Sequence, residues 1–207
     1  MTLPQAFLTL GLLGLGGCAF SAPVPFPVTL PSQRVIDIQY HTKQHDLAKL
    51  KKYHFSITLP DTWSTLDTVL VQEPTADIPE EIAAFREPGE WMKDPAAPAK
   101  AEVSISVLNL SGSLVGSGAS VRWLTTLLDR TVPGYRVLNQ RDAVSNAGPV
   151  GDVLIRYNGP YDIIARFFVI PMQDKKHVIV LTASAPASEY ADRAMQLYVA
   201  LQSFHLK

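Results

Sequence analysis

Few residues in this sequence combine a reactive side chain with the spacing that catalysis or metal binding requires. His41 and His45 are four residues apart and would share one face of a helix. No Glu lies between them, no third ligand is near, and Lys43 would repel a divalent cation. The pattern favours a solvated polar segment. We therefore predict no metal site and no cofactor.

Nucleophilic catalysis and phosphate binding lack their usual motifs. The glycine- and serine-rich residues 112–118 are not followed by the Lys-Ser or Lys-Thr pair of a phosphate-binding loop. The Gly-x-Ser-x-Gly motif of esterases does not occur in the sequence. We predict a protein that is not an enzyme, and we rank a hydrolase below the two non-enzymatic hypotheses given at the end of this section.

Charged residues interrupt apolar runs in the last third of the chain, at Arg156, Asp162 and Arg166. A charge in a central strand must be paired or reach solvent, so pairing on the exposed sheet face is one interpretation. The other interpretation is a concave recognition surface on the uncovered face of the sheet. It would include Tyr157, Tyr161 and Arg166, since Tyr and Arg are enriched in interfaces.

Residues 73–99 contain five prolines and many acidic residues. This composition predicts a long surface insertion, and such long loops in compact domains are usually functional or disordered. Within it, Trp91 and Met92 lack the periodicity that would bury them in a helix or strand. We therefore predict that Trp91 and Met92 contact a partner protein, and the alternative is that Trp91 packs inside the domain.

The only cysteine, Cys18, follows a segment typical of an export signal. Residues 1–17 carry no charged side chain, and their apolar run is too short to cross a hydrocarbon core of about 30 Å. The tetrapeptide Leu15-Gly16-Gly17-Cys18 resembles the bacterial lipobox. This resemblance implies that Cys18 begins the mature chain and carries acyl chains on its thiol and amine. The alternative is a small apolar residue in a buried helix.

The residues after Cys18 indicate a location and a tether. Ala19 follows the cysteine, whereas lipoproteins kept in the inner membrane mainly have Asp there, so the resemblance implies the outer membrane with the domain facing the periplasm. Prolines recur from Pro23 to Pro31, and in the polyproline II conformation that they favour the chain from Cys18 to Pro31 could extend roughly 40 Å. We assign residues 18–45 to this tether. Alternatively, its apolar residues bind a partner in extended form.

Composition predicts one globular domain, and the residue patterns predict that it is an α+β domain over residues 46–207. The chain has 207 residues, is 47% hydrophobic and 18% charged, and has a formal net charge of -1. These values exclude global disorder and give no electrostatic footprint for nucleic acid. Alternating apolar residues predict strands over 53–59 and 102–108, and helical spacing predicts a helix over 120–130 that stops before Pro133.

The last third of the chain predicts an antiparallel meander with helices packed on one face of its sheet. Short β-branched and aromatic runs alternate with turn residues, and they span residues 135–138, 151–157, 161–170 and 177–183. A closing helix over 186–201 would take Ser184 as its N-cap. Residues 203–206 are predicted to add an edge strand.

This order of elements resembles the Mog1/PsbP-like fold over about residues 50–207. The resemblance rests on Leu59-Pro60-Asp61-Thr62-Trp63, on residues 182–186 before the last helix, and on the final Ser203-Phe204. Within that group, the chain looks like bacterial envelope lipoproteins of the DcrB kind and related small domains of unassigned function. These motifs are structural, and the resemblance implies an accessory, partner-binding or assembly role.

Two functional hypotheses follow. The first is an outer-membrane lipoprotein whose non-enzymatic domain is an accessory or scaffold component of an envelope assembly such as a secretion system. It would bind the membrane through acyl chains on Cys18 and an envelope protein through its domain. The alternative is a membrane-tethered periplasmic module that binds a small apolar or sugar ligand.

Overall fold

A computed structural model describes residues 42–48, 54–66, 80–94, 97–109, 117–174 and 176–207. Cys18, the predicted signal peptide and most of the predicted tether lie outside these ranges. The described elements, in chain order, are β1 (Thr42–Ala48), β2 (His54–Pro60), β3 (Ser64–Leu66), β4 (Glu80–Arg86), a 3-10 helix (Glu90–Met92), β5 (Glu102–Asn109), α1 (Ser117–Thr131), β6 (Tyr135–Ser145), β7 (Gly148–Asn158), β8 (Asp162–Pro171), β9 (His177–Pro186), α2 (Ala187–Gln202) and β10 (His205–Leu206).

The strands form two antiparallel sheets. The large sheet has seven strands in the order β3-β4-β5-β9-β8-β7-β6, and the small sheet has three in the order β1-β2-β10. Strands β6 to β9 are adjacent in sequence and in space, so the predicted meander is confirmed. The α+β class is confirmed with it.

The small sheet packs its middle strand into the core. The alternating residues Phe55, Ile57 and Leu59 of β2 are fully buried, as their spacing predicts. The predicted edge strand near the end of the chain is β10, which pairs with β2. Strand β1 begins at Thr42, so it includes the last four residues of the segment predicted as tether.

The two helices cover opposite faces of the large sheet, which differs from the predicted packing on one face. Helix α2 lies on the face of Leu154 and Phe168, hereafter the α2 face. Helix α1 packs through Leu124 and Leu128 against the face of Val153, the α1 face. The central strands are apolar on both faces, and both faces therefore need a covering element. No helix among the described residues is long and apolar enough to cross a membrane.

Strand β4 lies inside the segment predicted as a surface insertion, so residues 80–86 correct that prediction. Ile82 and Phe85 are fully buried, and β4 pairs with β5. Four apolar residues in a row (82–85) outweigh the flanking prolines and carboxylates, because burying them stabilises the sheet.

The β6–β7 hairpin is longer than predicted, because β6 runs to Ser145 and β7 starts at Gly148. Its turn needs a glycine, since Gly148 has a φ of 102°. The end of α1 before Pro133 is confirmed. The predicted N-cap of α2 is wrong, because Ser184 belongs to β9 and Pro186, which has no capping side chain, precedes the helix.

Candidate functional site

One end of the large sheet brings together most of the predicted contact residues. Residues paired across neighbouring strands form a row at this end of the sheet. The row extends from Arg86 in β4 through Ser184 in β9 to Val137 in β6. Three strand spacings separate β4 from β8, which corresponds to about 14 Å. The 3-10 helix after β4 and the β7–β8 turn both leave the sheet at this end, which we call the loop end.

Trp91 and Met92 play different roles at the loop end. The Trp91 indole N–H donates a hydrogen bond to the Glu87 carbonyl oxygen at 2.7 Å. The Arg86 guanidinium lies 5.4 Å from the centroid of the Trp91 ring system. Trp91 is thus half-buried and held by its own loop, whereas the Met92 side chain is 61% exposed.

Arg193 ties this loop to α2. Its Nε and Nη2 donate to the Glu87 carboxylate at 2.6 and 3.1 Å, and its Nη1 lies 2.7 Å from Glu189. The hydrogen bond to Glu87 raises the pKa of Arg193 above its usual value. Since one guanidinium joins the loop and the helix, the 3-10 helix has a fixed position relative to α2.

The β7–β8 turn carries the two predicted tyrosines. Arg156 Nε donates to Asp162 Oδ1 at 2.8 Å, and this hydrogen bond lowers the Asp162 pKa although burial opposes it. Tyr161 is 47% exposed. Tyr157 is half-buried, and its ring occupies the space that a side chain at Gly159 would need. The predicted pairing of Arg156 is present, and Tyr161 is the exposed aromatic residue of this turn.

Arg166 does not belong to an exposed surface, and its assignment to one was wrong. Arg166 is 3% exposed and Asp152 is fully buried. Arg166 Nε and Nη2 donate to the Asp152 carboxylate at 2.9 and 3.1 Å. Its guanidinium lies 4.3 Å from the ring centroid of Tyr198 in α2. The charged Arg166 guanidinium is stable in the interior because it is paired with the Asp152 carboxylate and stacked on the Tyr198 ring.

A second arginine shares the same carboxylate. Arg141 Nε donates to Asp152 Oδ2 at 3.1 Å, and Arg141 Nη2 lies 3.4 Å from the Tyr198 hydroxyl. Near this cluster, burial raises the pKa of Tyr190 to about 12. Sequence reasoning missed Asp152, although a carboxylate inside the apolar run 150–155 signals a buried partner.

His45 and His177 have structural contacts. His45 is half-buried with its ring centroid 5.2 Å from that of Phe85, so its predicted solvated setting was wrong. Burial, with a contribution from Lys43, lowers its pKa. Burial alone would raise the Asp174 pKa, but hydrogen bonds from the backbone of His177 and Lys176 and from the His177 ring lower it to about 2. In the described part of the chain, no three His, Cys, Asp or Glu residues are grouped to hold a metal.

Comparison with known proteins connects this chain to others by structure and not by sequence. No family model and no curated protein matches the sequence. The solution structure of cyanobacterial PsbP from Synechocystis sp. PCC 6803 matches with a TM-score of 0.51 at 12% identity, covering 80% of this chain and 92% of PsbP.

Two further solved structures are similar. LpqN of Mycobacterium tuberculosis, described as involved in cell envelope biogenesis, matches with a TM-score of 0.52 at 14% identity and covers 86% of this chain and 98% of LpqN. The Ran-binding protein Mog1p of Saccharomyces cerevisiae has a TM-score of 0.49 at 11% identity, covering 80% of this chain and 95% of Mog1p. The protein has the Mog1/PsbP-like fold that the sequence predicts.

Proposed function

We propose that this protein is a lipid-anchored, non-enzymatic accessory component of the bacterial envelope, and that its domain binds a partner protein through the loop end. One observation carries the proposal of a protein contact. Four large apolar side chains are exposed among the described residues, and three of them lie at the loop end: Met92, Tyr161 and Val137. Large apolar side chains at one location are typical of an interaction surface.

The construction of the loop end also supports a protein contact. Arg193 and the Arg156–Asp162 pair fix the two connections that carry Met92 and Tyr161, so little order would be lost on binding. The distance between β4 and β8 is about 14 Å. A standard interface covers about 800 Å² on each partner and is wider than this distance. A single partner could therefore contact both connections.

The lipobox-like Leu15–Cys18 sequence supports the envelope location and the anchor, and LpqN provides an example of the same fold in a protein described as acting in envelope biogenesis. Attachment to an outer membrane and a role beside a secretion system belong to the proposal. The alternative, a tethered module for a small apolar or sugar ligand, would need a concave pocket lined by such side chains.

Photo-crosslinking in the source bacterium tests the contact surface. A benzophenone amino acid is placed at Met92, at Tyr161 or, as the matched control, at the exposed Thr126 of α1. We expect the same partner band from Met92 and Tyr161 and none from Thr126. Replacing Met92 and Tyr161 together by Asp should reduce co-purification of that partner about tenfold or more, the effect of an interface hot spot. Equal crosslinking from all three positions, or unchanged co-purification, would contradict the proposed surface.

The anchor has its own test. A Cys18→Ala chain should lose metabolically incorporated palmitate and should no longer sediment with membranes. Two or more acyl chains hold a protein stably at a membrane, so the difference should be nearly complete. Membrane association that is equal in the two chains would contradict the anchor and leave the contact surface to be judged separately.

A further inference from the structure

Strand β6 is a long edge of the large sheet. It extends over 11 residues and is hydrogen-bonded, among the described residues, only to β7. An edge strand presents backbone N–H and C=O groups that can pair with another extended chain. Its register shifts between Val137 and Asn139, which divides the edge into a short part and a longer part.

The α1 face of β6 exposes apolar side chains. Val137 is 44% exposed and Val144 is 76% exposed. Their register partners in β7 are Ile155 and Pro149, which point to the same α1 face as Val153. Two of the four exposed large apolar side chains among the described residues therefore lie on one face of one edge strand.

The opposite, α2 face of this edge carries arginine side chains of β6, Arg136 and Arg141, next to arginines of the neighbouring strands. Arg141 and Arg166 both donate hydrogen bonds to the carboxylate of Asp152. Nearer the loop end, Arg136 is the register partner of Arg156, and both arginines act on Asp162 to lower its pKa. Each cluster therefore places two guanidiniums beside one carboxylate, along β6 and its neighbours.

We propose that β6 binds an extended segment of a partner protein by strand addition, and that this segment alternates apolar with acidic side chains. Apolar side chains would cover Val137 and Val144, and carboxylates on the other face would lie beside the Arg136 and Arg141 clusters. Because the register shift removes one step between these arginines, four steps or about 13 Å separate them. The segment would thus carry two acidic residues four positions apart.

A separate partner fits this edge better than a second copy of the chain. Antiparallel pairing of two β6 strands would bring the positive clusters of both copies to one seam, and like charges facing each other disfavour such pairing. The inference needs neither the anchor nor the contacts of Met92 and Tyr161, although Val137 lies where the two surfaces meet. The strand-addition site can therefore fail while the proposed function stands.

The test uses the purified full chain in non-ionic detergent and a synthetic probe, the fluorescein-labelled peptide Ser-Val-Glu-Val-Thr-Val-Glu-Val-Ser. We expect saturable binding by fluorescence anisotropy, which weakens as salt is raised because charges contribute. A peptide with Lys in place of both Glu should bind at least about fivefold more weakly, in line with the loss of surface ion pairs. Amide hydrogen exchange should slow in residues 135–145 on binding.

Variants on exposed positions keep the fold intact. Arg136→Gln and Val144→Lys should each weaken binding about threefold to fivefold, whereas Arg122→Gln on α1 should leave it unchanged. Absence of saturable binding, equal affinity for the two peptides, protection confined to other segments, or a dimer joined through β6 in the free protein would overturn the proposal.

Discussion

The Asp152 carboxylate compensates arginine charge in the interior beneath α2. Its fully buried carboxylate accepts hydrogen bonds from both Arg166 and Arg141. Removing a buried ion's partner leaves an uncompensated charge, and this costs more than the pair itself contributes. The two arginines differ in this respect, since Arg166 is buried and the Arg141 side chain is 39% exposed.

We predict that Asp152→Ala lowers the free energy of unfolding by about 3–5 kcal/mol, because the buried Arg166 guanidinium loses its carboxylate. Arg141→Gln should lower it by no more than about 1 kcal/mol, since Asp152 keeps both bonds from Arg166 and Arg141 is partly solvated. Urea unfolding followed by tryptophan fluorescence measures both values. Equal losses in the two variants would show that Arg166 does not depend on Asp152.

At the scale of elements, the β6–β7 hairpin depends on a backbone conformation that side chains disfavour. Gly148 has a φ of 102°, in the left-handed half of conformational space. Ser145 closes the same turn, since its hydroxyl oxygen accepts the backbone N–H of Ala147 at 3.1 Å. This restricted turn therefore helps to set the register in which β6 and β7 pair.

We predict that Gly148→Ala lowers the free energy of unfolding by about 1–2 kcal/mol, the usual cost of placing a Cβ in this region. Gly89→Ala is the matched control, because Gly89 has extended backbone and an added Cβ would meet its nearest atom at an ordinary 3.7 Å. Its stability should change by less than about 0.5 kcal/mol. Similar losses in both variants in thermal or urea unfolding would argue against backbone strain.

The elements also show what a sequence pattern can and cannot predict. Strand β2 was predictable, because Phe55, Ile57 and Leu59 face the core and alternate with more polar residues. Strand β4 was not, since its apolar residues 82–85 are all buried and leave no alternation among the flanking prolines. The polar second half of β6 lies at an edge, where burial imposes no pattern.

The candidate site was predictable to a smaller extent. Met92 and Tyr161 are exposed as expected, because turn and proline chemistry marks connections. Arg166 looked similar in sequence, yet its partners Asp152 and Tyr198 come from another strand and from α2. Pairings between distant segments determine whether such a charge faces solvent, and a single sequence does not contain them.

At the scale of the whole molecule, the segment predicted as tether precedes strand β2, whose Phe55, Ile57 and Leu59 lie in the larger hydrophobic cluster. We predict that a shortened chain beginning at Ser32 is monomeric without detergent and unfolds at the same urea concentration as the full chain in detergent. Size-exclusion chromatography with light scattering, together with urea unfolding, tests this. Aggregation, or a clear loss of stability, would mean that residues 18–31 complete the core.

The pairing of β10 with β2 has a consequence for the order of events during synthesis. Ser203 Oγ accepts the Thr58 N–H at 2.8 Å across 145 positions of sequence, and the N–H of Lys207 reaches the His54 carbonyl oxygen at 2.8 Å. Phe204 packs its ring 5.4 Å from that of Phe55. Strand β2 therefore cannot complete its packing until residues 203–207 have left the ribosome. Contacts of such long range slow folding, so the nascent chain should remain open to chaperones and to passage through a narrow channel until residues 203–207 have been synthesised.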